Sequence, residues 1–504
     1  MKKAILILTI ITCLVLSACT TALPAQEGTE PSSNPSAAET LAATPVPPTV
    51  QPVTRAPSPT KTATSLPPGF GSPSIGDPFI QTMGNGGYDV QNYTIILDVT
   101  MATNEVKALT RIEAVTTQEL STFTLDFTGF EWDAVRVNGE DAAFLRKIGK
   151  LEITPANSLG DKAPFTIEVE YHGVPFPIGS LKGSSVGWFR AMDGTINVFT
   201  EPDGAYGWFP CNNHPRDKAL FRFEVTVDDP WIAAANGHLL ETIPQDGRTT
   251  YIFELAEPMA TYLATVNIDH YDIETMEGPN GVLIRNYFPA DFPEIQRKNY
   301  NVIPEVMEFF NIIYGPYPST VYGVLIMDVN ATHCANDPFG DETQSLTIVC
   351  PDPSSTGIGT IVHEMAHEWF GDSVSIESWA DLWLKEGMAT YAGCLWKTRD
   401  ADMTTLDACM KDRAQNYPNR VPVDQPSRNN LFCTEAYTGG ALVYHSLHKE
   451  LGDEMFYKIV RTYLERYRGS HAGTDEFIAL VNEVSGQDLS DEIRAWLDAP
   501  VIPE

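Results

Sequence analysis

The sequence is poor in positive charge. Lys and Arg together number 33 against 66 Asp and Glu, a formal net charge of −33 over 504 residues. A surface that acidic repels nucleic acid and anionic lipid headgroups, so neither is expected as a partner held by charge. Its plainest meaning is solubility. Long apolar runs are equally few. One stands at the extreme N-terminus, no second candidate for a membrane span follows, and there is no internal repeat. Cysteine is sparse too, and the spacing of Cys211, Cys334, Cys350, Cys394, Cys409 and Cys433 does not match a zinc knuckle. Outside the cytoplasm an even set of this kind permits disulfides, without fixing which cysteine pairs with which. What is present is ordinary for folded protein, 43% hydrophobic and 10% aromatic residues. The length exceeds what one hydrophobic core usually serves, so two or more units are expected.

The N-terminus reads as an export signal. Lys2 and Lys3 precede an apolar stretch, Ala4 to Leu16, too short to span a bilayer comfortably. Leu16-Ser17-Ala18-Cys19 then resembles the bacterial lipobox, which implies lipid on Cys19 and removal of residues 1–18. A plain secretory peptide cut near Ala18 is the alternative. Both put the mature chain outside the cytoplasm. The following stretch is rich in Pro, Thr, Ser and Ala and has almost no large apolar side chains, so it cannot bury enough surface to fold. Residues 19–84 are expected to be an extended tether.

From about Tyr88 apolar and polar residues alternate, as in Tyr93, Ile95, Leu97 and Val99, or Phe221, Phe223, Val225 and Val227. Period two predicts strands with one buried face, so residues 85–274 are expected to form an all-β domain. The period then lengthens. Residues 297–313, "IGTIVHEMAHEWF" and "DLWLKEGMATYAGCLW" predict helices, the second with Thr360 as a cap and Gly371 as its end. "TDEFIALVNEV" and "SDEIRAWL" each open on a Thr or Ser suited to capping. Residues 275–504 are expected to be a helix-rich domain, and the chain as a whole a multidomain α+β protein.

"HEMAHEWFGD" carries the chemistry. On a helix His363 and His367 stand four apart on one face and present two imidazoles to one point. Glu364 adjoins the first and is placed to act on water at a metal. Eighteen residues separate His367 from Glu386, which would complete a His₂Glu set. A buried helix with two satisfied core histidines is the competing structural explanation.

"HEMAHEWFGDSVSIESWADLWLKEGMATY" resembles the core of the aminopeptidase N and leukotriene hydrolase family of zinc aminopeptidases. Lys385 stands where that family has asparagine, and Asp372 where asparagine is common. "YDVQNYTIILDV" resembles the opening strand of the family's N-terminal β domain. "TEPDGAYGWFPCNNHPRDKALFRFEVTV" resembles its F-P-C-x-D-x-P-x-x-K-A motif, which implies that Glu201 grips the substrate's free amine. "AYTGGALVYHSLHKELG" resembles Y-x-K-G-A, which implies that Tyr437 stabilises the transition state, with Gly439 in place of the family's lysine. The exopeptidase signature G-x-M-E-N has only a partial counterpart in Phe339-Gly340-Asp341-Glu342-Thr343-Gln344, with Glu342 as its glutamate. A solvated loop carboxylate is the alternative for Glu342. Cys334 and Cys350 bracket this segment and are expected to form a disulfide.

The resemblance implies a thermolysin-like catalytic domain and one Zn²⁺ per chain held by His363, His367 and Glu386; as the sequence stops at Glu504, where the family's catalytic domain ends, no C-terminal helical-repeat domain is expected. It implies Glu364 as general base, Tyr437 as oxyanion donor, and Glu201 with Glu342 as the amine-binding pair. The expected function is a lipid-anchored aminopeptidase on a cell membrane, facing outside the cytoplasm, with peptides as substrates. Two alternatives stay open, a zinc endopeptidase or broader hydrolase on the same fold and a surface binding protein on a retired peptidase fold.

Overall fold

A computed structural model describes residues 69–327, 339–351, 355–415, 417, 421–427 and 431–498. The expected leader, Cys19 and most of the tether lie outside them. The folded chain starts earlier than expected, because the end of the supposed tether is built in. Phe70 bridges to Thr122. Ile80 and Met83 are buried, and Asp77 is fully enclosed. Those apolar side chains give residues 69–84 a surface to bury that the Pro/Thr-rich stretch lacks.

Period-two strands dominate as far as Asp269. Eight form one sheet, in the order His238–Gln245, Arg248–Ala260, Lys218–Asp228, Tyr88–Thr100, Glu105–Thr116, Pro164–Gly173, Glu131–Val137 and Glu140–Asp141. Tyr93, Ile95, Leu97 and Val99 all point into the core. Each such side chain contributes roughly 1.5–3 kcal/mol by leaving water. The pair Tyr88–Thr100 and Lys218–Asp228 runs parallel. A second sheet of five strands includes Ile196–Phe199, which delivers the chain to Glu201.

The C-terminal half contains a sheet that the helix-rich reading left out. Its path is Tyr271–Glu277, Leu283–Pro289, Val324–Ile326, Thr347–Cys350 and Phe339–Asp341, with Val321–Tyr322 also paired to Leu283–Pro289. Val324–Ile326 and Thr347–Cys350 are short and buried at every residue. Strands covered on both faces show no alternation, which is why their pattern is silent. The sheet begins at Tyr271, inside the stretch expected to close the all-β domain.

The described helices are α1 (Glu294–Arg297), α2 (Ile303–Tyr314), α3 (Ile358–His367), α4 (Trp383–Lys397), α5 (Met403–Ala414), α6 (Gly440–Tyr467), α7 (Thr474–Ser485) and α8 (Ser490–Asp498). Helix α3 is entered through Gly357 at φ +70°, not capped by Thr360. Gly371, at φ +123°, turns the chain away after it. Gly473 takes the cap position of α7, and Thr474 instead donates to Asp381 at 2.7 Å. Helices α4 and α6 meet backbone to backbone, since a Cβ at Gly387 would lie 2.6 Å from the Gly440 carbonyl carbon. A disulfide, Cys394–Cys409, ties α4 to α5. Cys350 is disulfide-bonded; its expected partner Cys334 lies outside the described residues. Cys211 and Cys433 are free and buried. Among the described residues no helix is long and apolar enough to cross a membrane.

Candidate active site

Helices α3 and α4 pack so that one side chain from α4 meets two from α3. His363 Nε2 and His367 Nε2 face each other at 3.2 Å. Glu386 Oε2 lies 3.4 Å from the first and 3.5 Å from the second. These three ligand atoms all fall within 4.8 Å of one another. Glu386 Oε2 is buried and has no hydrogen-bond partner. A buried carboxylate oxygen without a donor is costly, and a cation at this point supplies what it lacks. The donor set suits zinc, with two imidazoles, one carboxylate and a side left open toward a cavity. His367 Nδ1 lies 3.0 Å from the Phe370 carbonyl oxygen and 2.8 Å from Glu342 Oε2. Those acceptors hold the proton on Nδ1 and leave Nε2 as the donor atom for a metal. Burial holds His363 below its ordinary value, so it is neutral. At His367 burial pulls the same way, but the Glu342 and Glu386 carboxylates outweigh it and push the imidazole well above its ordinary value, so a metal on Nε2 would take the place of a proton there.

Glu201, Glu342 and Glu386 also form an acidic cluster, and a lysine fills its centre. Lys385 Nζ is 2.6 Å from Glu201, 2.8 Å from Glu342 and 2.7 Å from Glu386 Oε1. Lys385, where the resembled family has asparagine, therefore joins three carboxyl groups through one ammonium. Burial pushes the Glu201 carboxyl up to about 8, partly offset by Lys385.

Glu342 is a buried, engaged residue, not a solvated loop carboxylate. Tyr262 of the β-rich half donates to its Oε1 at 2.9 Å. The turn after it is pinned from the same half. Asn236 donates to the Gln344 carbonyl at 2.7 Å, and the Gly237 amide to Ser345 Oγ at 2.8 Å. Ser345 holds a left-handed φ of +66°, and its amide donates to Glu368 Oε1 at 2.8 Å. Turns of the β-rich half thus hold the Glu342 segment in place without the Met and Asn of the signature. Neither Lys385 nor Tyr262 was singled out by sequence reasoning. The departure at Lys385 was visible, but only the fold shows which charges it meets.

Glu364 borders the open side. Burial pushes its carboxyl well above the ordinary range, against the opposing pull of His367. Gly340 makes room for it, since a Cβ there would lie 2.1 Å from Glu364 Oε1. Tyr437 sits in a π-helical turn, Glu435–Gly439, that leads into α6. Its ring lies parallel to that of His363, 6.1 Å between centroids. Burial pushes its hydroxyl up, so it stays protonated as a donor. A cavity of about 710 Å³ opens beside His363 and Glu364.

Two family models match the chain. Residues 89–263 match the Peptidase M1 N-terminal domain, and residues 300–496 the Peptidase family M1 domain. The leucyl aminopeptidase of Saccharolobus solfataricus is 26% identical over 438 residues, 82% of this chain and 54% of that protein. Aminopeptidase M1-C of Oryza sativa subsp. japonica is 28% identical over 339 residues, 63% of this chain and 37% of that protein. The chain thus spans about half, or less, of the length of these curated relatives. Among solved structures, the M1 zinc metallopeptidase from Deinococcus radiodurans superposes with a TM-score of 0.77 at 27% identity, covering 86% of this chain and 98% of that one. A mutant of that enzyme bound to a Tyr-Ser-Ala substrate gives 0.77 at 28% identity, covering 86% and 99%.

Proposed function

Since the chain belongs to the peptidase M1 family of zinc metallopeptidases, we propose that it is an aminopeptidase that removes single residues from the N-termini of peptides. The observation that carries this reading is the junction of two sites. The metal-ligand trio and the Glu201–Glu342 pair are joined through adjacent residues, Lys385 and Glu386. His363, His367 and Glu386 would hold a zinc ion, which would supply Lewis acidity toward the scissile carbonyl and water.

The chain's own residues do the rest. Glu364 accepts a proton from the attacking water as its oxygen bonds to the carbonyl carbon. It returns that proton to the leaving nitrogen as the C–N bond breaks. Tyr437 donates to the oxygen on which charge develops. In the empty site burial keeps the Glu201 carboxyl largely protonated at neutral pH. An α-ammonium arriving beside it favours the ionised form, and with Glu386 committed to the metal, Glu201 and Glu342 then bring two negative charges against one from Lys385. One α-ammonium balances the remainder, which favours a substrate with a free N-terminus. Glu342 is already fully engaged, so Glu201 is the more available acceptor. The test is zinc content together with hydrolysis of aminoacyl anilides before and after chelation. The reading expects about one zinc per chain and activity restored by zinc; a zinc-loaded chain that releases no aniline would contradict it.

The setting completes the proposal. Cys19, in its lipobox-like sequence, carries lipid, and the Pro/Thr-rich stretch holds the enzyme off a membrane on its outer side. Labelling with a fatty-acid analogue tests this. The parent should take up label and Cys19→Ser should not; an unlabelled parent would contradict the anchor.

A further inference from the structure

The cavity beside Glu364 has an unusual wall for so acidic a protein. Lys397, Arg399 and Arg413 all line it, and Glu364 is the one carboxylate among its described lining residues. Arg399 is engaged, 3.2 Å from Glu305 and stacked over Trp396 at 3.9 Å. Lys397 and Arg413 have no carboxylate partner among the described residues, although acidic residues outnumber basic ones two to one.

Their placement is built in. Glu386, Gly393 and Lys397 follow one another along α4, and Gly393 and Lys397 both border the cavity. Gly393 lies two turns beyond Glu386, about 10 Å of helix rise. Arg413 packs over this glycine, since a Cβ there would be in ordinary contact with Arg413 Nη2, at 3.5 Å. Arg413 stands near the end of α5, and the Cys394–Cys409 disulfide fastens that helix to α4 next to Gly393.

The direction of a bound peptide follows from the proposed function, on which this inference rests. An amine near Glu201 and a scissile carbonyl at the metal trio send the rest of the chain past Glu364 into this cavity. An extended peptide covers about 3.3–3.6 Å per residue, so about 10 Å is two to three residues beyond the cut. We propose that Lys397 and Arg413 bind a carboxylate on the departing portion of the substrate. It is either the free C-terminus of a tri- or tetrapeptide or an acidic side chain at the same distance. The enzyme then favours short peptides or acidic sequences over long neutral ones.

Two matched pairs distinguish the sources. One is a tetrapeptide as free acid against its C-terminal amide. The other is an amidated tetrapeptide with Glu against Gln as third residue. The proposal expects the charged member of at least one pair to be favoured about tenfold in kcat/KM, a charge-assisted hydrogen bond discounted for solvent. Arg413→Gln and Lys397→Gln should each erode that preference, and added salt should too. Calorimetric binding of the same pairs to Glu364→Gln reads the wall without turnover. An aminoacyl anilide, which has no carboxylate, reports on the aminopeptidase reading separately in the parent. Equal kcat/KM and equal binding within both pairs would overturn the proposal even if the anilide is hydrolysed. A preference that survives in both variants would overturn the assignment to these residues.

Discussion

Gly340 and Glu364 fit together at the centre of the site, because any side chain at position 340 would enter the space of the carboxylate. Glu364 contacts neither the amine cluster nor the three ligand atoms as a ligand, so its contribution can be removed alone. Glu364→Gln should retain zinc and lose about 10²- to 10⁴-fold in kcat; near-parental turnover in a zinc-loaded variant would contradict its role as base. Lys385 is the second decisive residue. Lys385→Met leaves Glu201, Glu342 and Glu386 facing one another without their shared ammonium. Removing one partner from a buried ionic group costs about 3–5 kcal/mol, so thermal melting should show a clear loss of Tm. A variant that melts with the parent would show that the carboxylates do not depend on this ammonium.

At the scale of elements, the legibility of the fold depended on exposure. Half-exposed strands such as Tyr88–Thr100 announced themselves through alternation. The helices α3 and α4 were legible from their apolar faces and from the H-E-x-x-H spacing, which by itself brings His363 and His367 together. Strands buried on both faces gave no such signal, and the sheet beneath α3 was missed. Helix α5 and its disulfide were missed because Met403–Ala414 has a weakly patterned sequence and six cysteines do not specify their pairing. The start of the folded body was missed for a different reason, since Asp77 matters through partners far along the chain. Its Oδ1 accepts from the amides of Phe79 and Ile80 and from Ser378, and its Oδ2 pairs with His214 at 2.8 Å. Burial raises the Asp77 carboxyl, but the bonds from His214 and the backbone outweigh it and hold it down at about 2. A carboxyl whose folded value lies below its unfolded one stabilises above the unfolded value, and that stability is lost as pH falls toward the folded one. The difference amounts to about 2–3 kcal/mol. Asp77→Asn should therefore melt earlier than the parent at pH 7, with the deficit shrinking between about pH 4 and pH 2. A deficit independent of pH would contradict this linkage.

At the scale of the whole molecule, the β-rich half supplies part of the site. Glu201 and Tyr262 come from it and meet Glu342, Lys385 and Glu386 across the junction. Lys218 reinforces that junction, donating to the backbone carbonyls of Asp372 and Ser373 just after α3. An amine bound at such a junction blocks a substrate from extending further in the N-terminal direction, which separates an aminopeptidase from an endopeptidase on the same metal ligands. The most direct measurement is mass spectrometry of the products that the zinc-loaded protein makes from one peptide, offered with a free N-terminus and with an acetylated one. The account predicts a ladder of products shortened one residue at a time from the free peptide, and little or no cleavage of its acetylated twin. Internal fragments, or equal cleavage of both peptides, would contradict it.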